Sequence, residues 1–306
     1  VKERAIAAAY AAALQSSPSE ETAGAGAPPS DDATFSTLGA LLDEDVHFTL
    51  AGFRDVHGRG NVVRAHQVMF GALSQRKVRN TLVLRAEDSQ VFEWTMSAVD
   101  SASRKRVVIQ GITLAWTRDD GSIWDLHVYF DEARVKAQLG VGPKSLVDLP
   151  LPAEPLAPPQ EFDQSRSPAE KANLASLRDA LDALDANNEA GYLAHMADDV
   201  ELSTLESAEP LQGKTAIGAY FKSLHKSIGD LDVRFQNGWG IDSFAVAEYD
   251  LVGEQRGPIG FVPPGKASIV KLFTVDVAEM REGKIARIRR YQNPIQTLTF
   301  ASEILK

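Results

Sequence analysis

Asp125, His127, Tyr129 and Asp131 alternate along one stretch of the chain. Successive strand residues point to opposite faces, so a strand here sets two carboxyls, an imidazole and a phenol on one side. That combination can move protons. Desolvation in apolar surroundings raises a carboxyl pKa toward neutrality, and an imidazole already titrates there. If this face lines a pocket, His127 can pair with Asp131 and Tyr129 can donate to a developing oxyanion.

Other polar residues fall where a pocket wall would run. His47 alternates with Val46 and Phe48, and His66 shares a helical stripe with Val62, Val63, Met69, Phe70 and Leu73. A lone histidine in such a place reads first as a satisfied structural residue. Glu93 and Gln110 sit in central strand-like runs, where a carboxylate is either a base or an ion-pair partner. Arg287, Arg289 and Arg290 form a basic patch that suits an anionic ligand or, more simply, neighbouring sheet carboxylates. No His/Asp/Glu group has metal-ligand spacing along the chain, so no metal is expected. No Walker or dinucleotide glycine pattern follows a strand, so no cofactor is expected. Gly238-Trp239-Gly240 reads as a turn between strands.

The elements that must position these residues occur twice. Asp45-Val46 and Asp199-Val200 each open a strand after a helix. Gly58-Arg59 and Gly213-Lys214 each open an amphipathic helix. Asp120-Gly121-Ser122-Ile123 and Glu282-Gly283-Lys284-Ile285 each turn into a last strand that reaches Tyr129 or Tyr291. The spacing between matched positions drifts slowly, as expected of one unit copied once. Each unit reads as helix, helix, strand, helix and a four-strand antiparallel meander. The expected strands lie near 78–86, 90–99, 106–117 and 122–130, then near 231–236, 243–252, 267–278 and 284–292. Residues 1–14 suit a helix, with Phe35, Leu38, Leu41 and Leu42 marking the next one. Residues 16–32 read as a flexible insertion. Residues 141–166 carry six prolines and read as an extended linker. Ser167, Pro168 and Glu170 then form a helix-start signal.

The fold class expected is α+β: two cone-like domains, 1–140 and 167–306, each a curved sheet wrapped round about three helices, joined by the 141–166 linker. With 306 residues, 44% hydrophobic and 24% charged, the chain has ample material for two cores. A net charge of −10 argues against a nucleic-acid partner. No apolar run is long enough for a membrane span. There is no cysteine, which removes disulfides and thiol chemistry. The chain starts at Val1, so a soluble protein, cytoplasmic or exported after loss of an N-terminal segment, is the open expectation for location.

Two local patterns resemble the SnoaL-like cyclases of the nuclear transport factor two-like superfamily. Gly121-Ser122-Ile123 through Tyr129-Phe130-Asp131, followed by Gln138-Leu139-Gly140, is similar to the end of such a domain. Gly253-Glu254-Gln255-Arg256-Gly257 through Pro263-Pro264-Gly265-Lys266 is similar to its long hairpin. The resemblance implies a cone whose open end takes a small molecule, and it implies that Asp131 is the general acid/base. His127 then corresponds to Arg289, Tyr129 to Tyr291 and Asp131 to Asn293. The second copy lacks the proton-carrying acid, and Gln255 replaces the hairpin histidine. The first reading is therefore binding of a small, largely apolar or polyketide-like molecule. His47, Glu93, Gln110, Arg289, Tyr291 and Asn293 are the ligand-contact candidates. The second is a cyclase, isomerase or hydrolase using Asp131, His127 and Tyr129. The third is an interaction module with cones plugged by side chains such as Phe92 or Phe235. If Trp124, Leu126, Val128 and Phe130 share the face opposite Asp131, that apolar face needs a cover. The sister domain, giving an intramolecular pseudo-dimer, or a second chain in a homodimer is expected to supply it.

Overall fold

A computed structural model of the chain describes residues 6–15, 35–50, 55–141, 157–205, 207, 209–260, 262–263 and 269–292. These fall into two compact units that divide at Phe162/Asp163, with the short Phe130–Ala133 segment grouped with the second. Residues 16–32 of the expected insertion and Asn293 lie outside the described residues.

Unit one runs α1 (Ile6–Leu14), α2 (Ser36–Gly39), β1 (Leu42–Leu50), β2 (Val56–His57), α3 (Arg59–Phe70), β3 (Leu73–Arg85), β4 (Ser89–Asp100), β5 (Arg106–Thr117), β6 (Ile123–Phe130) and α4 (Glu132–Leu139). The four-residue β7 (Gln160–Asp163) completes its sheet, ordered β2-β1-β6-β5-β4-β3-β7. Unit two runs α5 (Pro168–Asp185), α6 (Glu189–Ala194), β8 (Met196–Thr204), β9 (Leu211–Gln212), α7 (Gly213–Ser227), β10 (Ile228–Ile241), β11 (Phe244–Gln255), β12 (Ile269–Arg281) and β13 (Lys284–Gln292). Its sheet is ordered β10-β11-β12-β13-β8-β9, the same order one copy later. Each unit is a cone-like α+β domain. The meander strands pair antiparallel, and the first long strand pairs parallel with the last, β1 with β6 and β8 with β13.

Local chemistry accounts for the element ends. Ser167 accepts from the Glu170 amide at 3.3 Å, and the Glu170 carboxylate accepts from the Ser167 amide at 2.8 Å. This capping box, with Pro168 at the first helical position, starts α5. Leu177, Leu181 and Leu184 then give α5 a buried stripe. Gly121 and Gly283 take positive φ in the turns before β6 and β13, a conformation open to glycine without strain.

Three expectations change. Gly238-Trp239-Gly240 is not a turn but part of β10; the turn falls at Asp242, which adopts φ 51°. A Cβ on Gly240 would stand 2.0 Å from the Glu170 carbonyl oxygen, so the glycine lets the start of α5 lie directly on the strand. Within the proline-rich stretch, Gln160–Asp163 is an edge strand rather than free linker, held by Arg85 to Glu161 at 2.6 Å. The third concerns which face of the unit one sheet is covered. Phe48 lies 4.9 Å from His66 of α3, Phe92 lies 5.6 Å from Tyr10 of α1, and Phe70 of α3 lies 6.4 Å from Trp94. Phe48 pairs in register with Leu126. Leu126 and Val128 on the apolar side of β6 therefore face the unit's own helices, while Trp124 at the start of the strand is 39% exposed. Asp125, His127 and Tyr129 take the opposite face by alternation.

Candidate functional site

In unit two the sheet face toward the helices is mostly apolar, with polar groups gathered on β11, β12 and β13. Leu177, Leu181, Leu184, Ile217, Phe221, Ala247, Leu251, Leu272 and Ile288 belong to one buried cluster. Within it β12 and β13 place Asp276 opposite Arg290 as direct cross-strand partners. Both side chains are 1% exposed. Arg290 donates through Nε to Asp276 Oδ1 at 2.8 Å and through Nη2 to Oδ2 at 2.7 Å. Its Nη1 donates to the Tyr220 hydroxyl at 3.0 Å. The Tyr249 hydroxyl donates to Asp276 Oδ2 at 2.9 Å. Tyr220 comes from α7 and Tyr249 from β11, and Tyr192 of α6 stacks on Phe221 at 5.3 Å between ring centres.

Removing two charges from water carries a penalty of several kcal/mol per ion, offset here by bidentate geometry and further hydrogen bonds. Burial alone would lower the Arg290 pKa, but the Asp276 carboxylate outweighs it and holds the guanidinium above its ordinary value. Burial pushes the Tyr192 phenol up to about 12 and raises Tyr249 as well. The Tyr192 and Tyr249 phenols thus keep their protons at neutral pH. Tyr220, half-buried, accepts from Arg290 through its hydroxyl oxygen.

The sequence-derived candidates of this unit lie elsewhere. Arg289 and Tyr291 point to the face away from the helices, by alternation with Arg290. Arg289 pairs with Glu279 there, beside Arg287, which meets Glu201 at 3.2 Å. The usable signal was parity: Ile288 is a core residue, so Arg290 shares its face. Gln255, in place of the hairpin histidine, donates to the Gly257 and Pro263 carbonyls at 3.2 and 3.1 Å and closes the hairpin on itself.

In unit one the histidine among the helix-side aromatics is neutral. His66 donates from Nδ1 to the Val62 carbonyl at 2.9 Å, so its Nε2 is the acceptor facing the Tyr10 hydroxyl, also at 2.9 Å. Burial lowers its pKa to about 4, and it stays uncharged. Trp94 donates to Thr113 at 2.9 Å on the same face. A Cβ on Gly111 would stand 2.3 Å from the Trp94 ring, so that glycine makes room for the indole.

Asp131 and His127 each have a partner close by in the chain. Asp131 is 3% exposed and accepts from the Ala133 amide at 2.9 Å, at the start of α4. His127 Nε2 lies 3.3 Å from Asp125 Oδ1. The same Asp125 oxygen meets His47 Nδ1 at 2.9 Å. The parallel register of β1 and β6 creates this group by setting His47 beside Asp125 and Thr49 beside His127. Spacing along the chain could not show it, because His47 and Asp125 are 78 residues apart. Tyr129 is buried on the same face. Glu93 and Gln110 also lie away from the helices, Glu93 buried and Gln110 exposed, because Phe92, Trp94 and Gly111 take the helix side.

The sequence profile of the SnoaL-like domain matches residues 30–126 and again 177–288. No curated protein matches the chain. Among solved structures, the chain is similar to a candidate SnoaL-like polyketide cyclase from Jannaschia sp. CCS1 at 21% identity and TM-score 0.41, covering 45% of this chain and 97% of that one. It is similar at 22% identity and TM-score 0.35 to a protein with a ketosteroid isomerase-like fold from Catenulispora acidiphila DSM 44928, solved with trimethylamine, covering 46% of this chain and 96% of that one. A nuclear-transport-factor-like protein of unknown function from Burkholderia pseudomallei K96243 aligns at 12% identity and TM-score 0.36, covering 43% and 98%.

Proposed function

This chain belongs to the SnoaL-like domain family in both of its halves, and from that premise we propose that unit two binds a small, largely apolar molecule carrying a polar oxygen. The molecule sits between helices and sheet, with its oxygen at the Tyr220 hydroxyl and its body against the apolar cluster. The observation that carries this reading is the buried Arg290–Asp276 pair within that cluster. An apolar interior with a few convergent polar groups is the general chemistry of small-molecule sites. A charged pair is a poor way to stabilise a core, since apolar side chains of equal volume do as well or better. Here it fixes the Tyr220 oxygen and leaves one phenolic proton directed by that bond.

The test is equilibrium binding of a fluorescent naphthyl ketone to the full chain. The reading expects saturable binding of one probe per chain. It expects Tyr220→Phe to weaken that binding about 5- to 10-fold, the worth of one net hydrogen bond. Absence of saturable binding, or equal affinity in Tyr220→Phe, refutes it.

A second reading is acid/base turnover through Asp131, supported by the burial of its carboxyl. Asparagine can keep the hydrogen bond to Ala133 but cannot carry a proton. Asp131→Asn therefore abolishes turnover of a ketone substrate under that reading and leaves binding in unit two unchanged.

A further inference from the structure

We propose that His47, Asp125 and His127 form a binding site for a single divalent first-row transition-metal ion. Each offers one donor atom, and the three donors lie within 4.8 Å of one another. Two of the separations, 2.9 Å from His47 to Asp125 and 3.3 Å from His127 to Asp125, are already those of atoms sharing an ion. Zinc–nitrogen and zinc–oxygen bonds of about 2.0–2.2 Å place donors roughly 3–4 Å apart, so small side-chain rotations complete the set. Two imidazoles and one carboxylate select transition metals over magnesium or calcium, which prefer all-oxygen shells. The side chains are 15–30% exposed, so the ion has a path in and a position left for water.

The surroundings are those of an oriented ligand set. His47 Nε2 lies 3.7 Å from Asp55 Oδ1, so the second nitrogen faces a carboxylate while Nδ1 faces the site. Ligating histidines are commonly fixed by such a partner. Trp116 sits edge-on to His127, with ring centres 4.8 Å apart, and limits its rotation. His57 stacks on His47 at 4.8 Å.

The duplicate provides an internal control. Equivalent positions follow from the parallel registers: His47 beside Asp125 in unit one, Glu201 beside Arg287 in unit two, and likewise Thr49 beside His127, Ser203 beside Arg289. In unit two these places carry a self-neutralising ion-pair ladder, Arg287 with Glu201 and Glu279, and Arg289 with Glu279. Each carboxylate of that ladder faces an arginine. At the same positions unit one carries an aspartate and a histidine where unit two has its two arginines, and a histidine where unit two has the glutamate. A plain sheet face has no need of that change.

Tag-free full-length protein, stripped with chelator, is titrated with Zn²⁺ against a chromophoric competitor, and separately with Co²⁺. The expected result is one ion per chain. Co²⁺ gives visible absorption of low-coordinate nitrogen and oxygen ligation, a readout that needs no variant. His47→Ala and His127→Ala weaken Zn²⁺ by at least ~100-fold, since losing even an outer partner costs about 10- to 100-fold. Asp55→Asn falls within that smaller range, and His225→Gln in unit two leaves affinity unchanged. Failure of the unmodified protein to bind Zn²⁺, or equal affinity in folded His47→Ala and His127→Ala, overturns the proposal and leaves a hydrogen-bonded His–Asp–His clip.

Discussion

Asp276→Ala tests the energetic reasoning behind the unit two site. The substitution removes the carboxylate that accepts two bonds from Arg290 and one from Tyr249. A guanidinium 1% exposed is left with only neutral phenols beside it, Tyr220 at 3.0 Å and Tyr192. Breaking one side of a buried pair costs about 3–5 kcal/mol because the other charge stays buried and uncompensated. At ~1.4 kcal/mol per factor of ten, that is an increase of roughly 100- to 4,000-fold in the open population of unit two. Replacing both partners, as in Asp276→Leu with Arg290→Met, removes the orphaned charge. The double variant should lie within about 1 kcal/mol of the parent or exceed it. Hydrogen exchange read by mass spectrometry separates the units: β12 and β13 peptides report unit two, and β4 and β5 peptides serve as the internal reference. A cost under ~1 kcal/mol for Asp276→Ala refutes the reasoning, as does a double variant no more stable than the single. The folded double variant should also lose the naphthyl ketone site, which separates a binding role from a stabilising one.

Acid should weaken the two units in different windows. The folded pKa of His66, about 4, is below its unfolded value of 6.5, so its contribution is complete above 6.5 and is lost as pH falls toward 4. That amounts to about 3 kcal/mol, read as faster exchange in α3, and His66→Gln should flatten the window. Glu170 behaves likewise at lower pH. Burial alone would raise its pKa, but backbone amides of Ser165, Asp242 and Ser167 outweigh this and bring it from 4.5 to about 2. Its share of unit two stability is complete above 4.5 and disappears toward 2, and Glu170→Gln should remove that dependence in the α5 peptides. At the start of α4, Asp131→Ala should cost about 1 kcal/mol and Asp131→Asn almost nothing, judged by exchange across Glu132–Leu139.

Much of the architecture was written in periodicity. Alternation located the eight meander strands, and the Ser167-Pro168-Glu170 signal marked the start of α5, because both depend on neighbours in the chain. The second expected helix of unit one was less legible. Phe35, Leu38, Leu41 and Leu42 have helical spacing, yet only Ser36–Gly39 is helical and Leu42 opens β1. Sheet pairing there outweighs a short helix, which cannot recover its nucleation cost. The site was less legible still. Alternation correctly grouped Asp125, His127 and Tyr129, but sequence alone did not say which sheet face the helices would cover. That choice is made by distant contacts such as Phe48 with His66. The same long-range information joins His47 to Asp125 and Asp276 to Arg290, neither of which leaves a contiguous motif.

The central claim is that the interior of unit two, around Tyr220, Tyr249 and Arg290, takes a small apolar molecule. Fluorine NMR of the full chain labelled with 3-fluorotyrosine measures this most directly, since the six tyrosines divide between the units. On addition of the naphthyl ketone, the Tyr192, Tyr220 and Tyr249 resonances should shift in a saturable way while Tyr10 and Tyr129 stay fixed. Unmoved resonances in unit two at probe saturation, or shifts confined to Tyr10 and Tyr129, would contradict the account.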